Sequence, residues 1–130
     1  MTILVAYVPR PEGRAALSKG IEMAKHFGEA LIVVNASPGG RQEDTSMADT
    51  LDVGEVEKLL AASGVKAEFK QFVRGKTAVE EIEDLVASIS VSMLIIGLRK
   101  RSPVGKLFLG SVAQEILLSV SCPVLSVKAG

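Results

Sequence analysis

Four cations, Arg99, Lys100, Arg101 and Lys106, fall within eight residues of the segment that runs from Gly97 to Gly110-Ser111. No acidic residue lies between Leu85 and Gln114 to offset them. Gly97 closes an apolar run and Ser111 opens an amphipathic one, so the segment leads from a buried strand into a helix. At a helix start the amides of Ser111, Val112 and Ala113 lack intrahelical acceptors, and Gly110 permits close backbone approach. The Ser111 hydroxyl can cap the helix or donate to an oxyanion. Unpaired amides, a helix dipole and cations together suit a phosphate chain. The same residues also suit turn and cap geometry alone, because glycine and serine are ordinary at strand–helix connections and basic loops are commonly just solvated.

Other chemistry is scarce. Cys122 is the only cysteine and His26 the only histidine, which excludes an intrachain disulfide, a multi-cysteine zinc site and metal sites needing two histidines. No phosphate loop of the Gly-x4-Gly-Lys-Ser/Thr type occurs. His26 falls near a helix end, where a cation complements the dipole. Cys122 reads as a small buried hydrophobe, with a reactive thiol as the alternative. Glu80, Glu81, Glu83 and Asp84 read as a solvated face, not an acid site. Tyr7 lies at a strand end, where it either stacks on a ligand ring or packs with its hydroxyl hydrogen-bonded.

The elements that must position these residues alternate along the chain of 130 residues. Ile3 to Val8 is apolar on both faces, as a central parallel strand covered by helices must be. Pro11 then opens a helix with Glu12 near its positive end; Leu17, Ile21, Ala24 and Phe27 form its inward stripe, and Gly28 stops it. Leu31 to Val34 is a second strand. Ser37 to Thr50 contains Pro38-Gly39-Gly40 and is expected to be the longest and most mobile loop. A helix over Leu51 to Ser63 follows. Val65 to Val73 alternates apolar and polar, as an edge strand does, and slips at Phe72-Val73. The spacing of Val79, Ile82, Leu85, Val86 and Ile89 predicts a helix over Thr77 to Ile89. Met93 to Ile96 is a strand stopping at Gly97, Val112 to Ser119 a helix, and Pro123 to Val127 a last strand. This alternation implies a three-layer α/β sandwich on a mostly parallel five-stranded sheet, with right-handed crossovers. Ligands of such sheets bind beyond the carboxyl ends of the strands, here after Val5, Val34 and Ile96.

Composition agrees. Hydrophobic residues make up 48% and charged residues 23%, so the chain is not intrinsically disordered. Fifteen cations balance fifteen anions, which gives no electrostatic case for nucleic acid or an anionic membrane. Met1 to Arg10 has no basic residue before its apolar run, and no stretch approaches the ~20 apolar residues of a membrane span. A cytoplasmic protein is expected.

The chain resembles the universal stress proteins, a family of the adenine nucleotide alpha-hydrolase-like fold. The family signature is glycine, two residues, glycine, nine residues, glycine, then serine or threonine. Gly97, Lys100 in the second glycine's place, Gly110 and Ser111 keep that spacing. Ile3 to Leu17, Asn35-Ala36-Ser37-Pro38 and Cys122 to Val127 also match, so the resemblance spans essentially the whole chain as one domain, 1–130. It implies a Rossmann-like sheet of order 3-2-1-4-5 with two helices on each face. It also implies a phosphate site at Gly97, Arg99, Lys100, Gly110, Ser111, Val112 and Ala113, and a nucleoside site at Ala6, Tyr7, Val8 and Ala36. Two residues depart from the family pattern: Val8 stands where an aspartate is usual, and Lys100 replaces a glycine.

The resemblance further implies ATP or a related adenine nucleotide as ligand, with or without Mg²⁺, and a homodimer formed through Pro123 to Val127. The expected function is a dimeric regulatory module of stress response. The alternatives are a stress protein acting through protein contacts alone, its basic loop a docking surface, and a slow ATPase. No carboxylate base is evident near the phosphate segment, so at most slow ATP hydrolysis is expected.

Overall fold

The computed structural model describes residues 1–39, 47–99 and 110–129. Among them, β1 (Thr2–Ala6), α1 (Pro11–Phe27), β2 (Ala30–Ser37), α2 (Thr50–Ala62), β3 (Ala67–Val73), α3 (Ala78–Ser88), β4 (Val91–Arg99), α4 (Ser111–Ser119) and β5 (Val124–Ala129) follow in chain order. The five strands form one sheet of order β3-β2-β1-β4-β5, every neighbouring pair parallel. Ile3, Leu4 and Val5 of β1 are wholly buried, which explains why the central strand has no polar face.

Side-chain alternation along the strands builds two cores. Ile3, Val5, Tyr7, Val33 and Ile95 pack with Ala16 and Leu17 of α1 and Val56 and Leu60 of α2. Leu4, Val34, Ala36, Leu94 and Ile96 pack on the other face with Val79 and Ile82 of α3 and Ile116 of α4. Local chemistry fixes the helix ends. Pro11 opens α1, and Gly28 closes it at φ 64 with its amide donating to the Ala24 carbonyl. Asp49 caps α2, and Thr77 and Glu80 form a reciprocal capping box at α3.

Several expectations need correction. β4 does not stop at Gly97 but runs to Arg99, because β5 continues beside it and pairs Gly97 with Val127 and Arg99 with Ala129. Phe27 is exposed, and its ring meets His26 edge-on at 4.8 Å. Glu81 is only 1% exposed and is not part of a solvated face: Arg74 donates to both its oxygens, at 2.8 and 2.7 Å. Phe72 is no slip of the strand pattern. Its ring serves the second core, where the Arg74 guanidinium lies 4.4 Å from the ring centroid. Half of the predicted mobile loop, residues 40–46, lies outside the described residues.

Two polar clusters tie the strand tips together. Asn35 donates to the Tyr7 carbonyl at 3.0 Å and accepts from the Ala48 amide at 2.9 Å, and Gln71 donates to both Asn35 and the Ala48 carbonyl. On the α1/α2 face the Tyr7 hydroxyl donates to Asp52 at 2.8 Å. Arg14 donates to the same carboxylate at 2.5 Å and to Glu55 at 2.8 Å. Burial of the Arg14 guanidinium opposes its charge, but the hydrogen bonds to Asp52 and Glu55 prevail and raise its pKa. Burial, and secondarily the bond to Asp52, push the Tyr7 phenol up from 10.0 to about 12.

A raised phenol pKa favours the protonated form in the folded chain, so its contribution to stability is complete below pH 10 and is lost as pH rises through about 12. Tyr7→Phe is expected to lower the unfolding free energy by about 1–2 kcal/mol at neutral pH. It should also remove this alkaline loss, as urea denaturation from pH 8 to 12 would show.

Candidate functional site

A cleft of about 440 Å³ opens at the carboxyl end of the sheet. Its floor is Ala6, Val34, Ala36 and Ile96, from the tips of β1, β2 and β4, and its walls are the first turns of α3 and α4. This is the point where β1 is flanked by β2 on one side and β4 on the other, so that successive strands are added outward in opposite directions from it. Arg10, Glu12 and Gly13 form a third side at the start of α1.

The α4 wall carries the donors. No side chain caps its N-terminus and no acidic residue lies in its first turn, so the amides of Ser111, Val112 and Ala113 have no intrahelical partner at the positive helix end. Gly110 adopts φ −65, which any residue tolerates. A Cβ there would meet nothing within 4 Å among the described residues.

Gly97 works differently. A Cβ on it would fall 1.9 Å from the Glu12 carbonyl oxygen, and one on Gly13 would fall 1.8 Å from the Val8 carbonyl oxygen. The two glycines let the first turn of α1 sit directly on the ends of β1 and β4. Gly97 therefore lines the cleft, yet its missing side chain is required by the packing of α1.

Five of the seven expected phosphate-site residues, Gly97, Gly110, Ser111, Val112 and Ala113, line the cleft. Arg99 ends β4, and Lys100 lies outside the described residues, as do Arg101 and Lys106. The expected nucleoside residues Ala6, Tyr7, Val8 and Ala36 all line it. Tyr7 does so by its backbone, because its ring is buried in the opposite core, edge-on to Phe69 at 6.1 Å. It is the packed, hydrogen-bonded tyrosine and not a stacking platform.

Sequence reading missed the α1 and α3 sides of the cleft, including Glu12. One Glu12 oxygen accepts from Arg10 Nε at 2.9 Å; the other, Oε2, is buried and has no hydrogen-bond partner among the described residues. An acidic residue directly after a helix-opening proline was the available signal, and the helix dipole alone accounted for it. Elsewhere, burial pushes the Cys122 thiol pKa up, consistent with an unreactive side chain. His26 is exposed at the end of α1, and no group of three or more potential metal ligands occurs among the described residues.

The two glycines should respond oppositely to a methyl group. Gly97→Ala is expected to lower the unfolding free energy by about 3 kcal/mol or more, because backbone must yield. Gly110→Ala should stay within about 0.5 kcal/mol of wild type. Paired urea melts measure both.

Comparison with known proteins gives the family. The model of the "Universal stress protein family" matches residues 1–128. A "Universal stress protein" of Mycolicibacterium smegmatis is 46% identical over 126 residues, 97% of this chain and 96% of the relative. The structure of a universal stress protein from Archaeoglobus fulgidus superposes with a TM-score of 0.78 at 28% identity, covering 98% of this chain and 97% of that one. A universal stress protein from the same organism in complex with dAMP shares the fold, at TM-score 0.71 and 23% identity over 98% of this chain and 96% of its own. With the glycine spacing, the sheet order and the cleft in agreement, this chain belongs to the universal stress protein family.

Proposed function

We propose that this chain is an adenine-nucleotide-binding regulatory module of the stress response, working as a homodimer. One observation carries the reading: an uncapped helix start faces an apolar cleft at the switch point of the sheet. Phosphates would be held by the amides of Ser111, Val112 and Ala113 and the Ser111 hydroxyl, with Arg99 and Lys100 adding charge. The nucleoside would lie against Ala6, Val8 and Ala36. The relative's complex with dAMP supports the ligand class.

The carboxylate of the cleft, Glu12, is engaged by Arg10, and Val8 supplies none at the end of β1. A regulatory binding role therefore fits this chemistry better than turnover, and hydrolysis is expected to be slow at most. The dimer would form along β5, an edge strand bonded on one side to β4. Sedimentation equilibrium of the purified protein tests it; a monomer at micromolar concentration would refute it.

Calorimetric titration of nucleotide-stripped protein tests the ligand, with and without Mg²⁺. ATP should bind more tightly than tripolyphosphate, and Arg99→Ala should weaken ATP about tenfold. Equal affinities would reduce the cleft to an anion site. No heat beyond dilution would leave a module acting through protein contacts.

A further inference from the structure

We propose that Glu12 reads the sugar of the bound nucleotide, its Oε2 accepting a ribose hydroxyl; this rests on the nucleotide reading above. Glu12 is 8% exposed and lines the cleft, and Oε2 has no hydrogen-bond partner among the described residues. A buried acceptor without a donor is costly, and a charged one more so, which makes such an atom in a cleft wall a place for a ligand donor. The Arg10 guanidinium, donating to Oε1 at 2.9 Å, balances the carboxylate charge and holds it in place. The pair then favours a neutral donor over a cation, while its carboxylate face repels phosphate oxygens.

Position selects which part of the ligand that donor belongs to. Glu12 lies on β4, where a Cβ on Gly97 would come within 3.0 Å of the Glu12 Cβ. Glu12 lines the same cleft as the apolar floor made by Ala6, Val34 and Ala36 and the α4 amides that lack intrahelical acceptors. In the proposed pose, with the base on that floor and the phosphates at α4, the sugar lies at Glu12. Sugar hydroxyls are neutral donors, as the site requires. Glu12 thus orients the ligand as well, since the reversed pose would bring phosphate against a carboxylate.

Titration of AMP, 2′-deoxy-AMP and 3′-deoxy-AMP into wild type and Glu12→Leu tests this. Leucine keeps most of the side-chain volume and offers neither donor nor acceptor, whereas a glutamine amide would still donate to a hydroxyl oxygen. Wild type should bind one of the deoxy nucleotides roughly ten- to hundredfold more weakly than AMP. In Glu12→Leu, AMP should bind as weakly as that deoxy nucleotide, with the difference between them reduced to within about twofold. Equal wild-type affinity for all three, or a deoxy penalty that survives the substitution in a protein with unchanged circular dichroism, overturns the proposal. Should Glu12→Leu not fold, Glu12→Asp shortens the reach by one methylene and is read the same way. Failure of wild type to bind any of the three removes the nucleotide reading, and this one with it.

Discussion

The close seating of α1 on the sheet is the constraint on which the cleft depends. Would-be Cβ atoms on Gly13 and Gly97 fall 1.8 and 1.9 Å from backbone oxygens, far inside van der Waals contact. Only at those two positions without side chains can the helix start approach the tips of β1 and β4 this closely. That approach brings Arg10 and Glu12 to the side of a cleft that is otherwise made by strand ends and by α3 and α4. The first signature glycine therefore serves the packing that sets the α1 wall of the cleft. Gly110, where an added Cβ would meet nothing within 4 Å among the described residues, carries no such packing demand.

The opposite face of the sheet is held by charge and hydrogen bonding as well as by apolar packing. Tyr7 directs its ring and hydroxyl away from the cleft, to Phe69 and Asp52, while its carbonyl is held by Asn35. Arg14 joins α1 to α2 through Asp52 and Glu55. The pair with the exposed Glu55 contributes little to stability; the bond of Asp52 to the buried phenol contributes more, since its loss would leave a polar group unsatisfied. The cluster has a positional consequence: it sets α1, and so Glu12, relative to β1.

The sheet and its covering helices were legible in the sequence because burial on two faces forces unbroken apolar runs, and these survive in β1, β2 and β4. Cap chemistry at Pro11 and Gly28 marked helix ends for local reasons. What was not legible depends on partners distant in sequence. β4 passes through Gly97 because β5 continues beside it, and nothing near Gly97 announces that. Glu81 is covered by an arginine of the β3–α3 connection, although helical spacing alone puts it among solvated acids. In the site, the α4 wall could be read from glycine spacing and a helix start. Glu12 could not, because an acidic first-turn residue looks the same whether it serves the helix dipole or a ligand.

The cleft is polar in one direction, and this explains how binding can be selective with few side-chain contacts. The α4 side presents amides at the positive helix terminus, the α1 side presents a carboxylate balanced by Arg10, and the floor is apolar. An anion gains at the first and loses at the second, so an asymmetric ligand has one favourable direction. A catalyst for phosphoryl transfer would need positioned charge and a base at the phosphate end. Here the carboxylate is on the other side, tied to a guanidinium. On the nucleotide reading proposed above, the separation that would orient the ligand would also work against hydrolysing it.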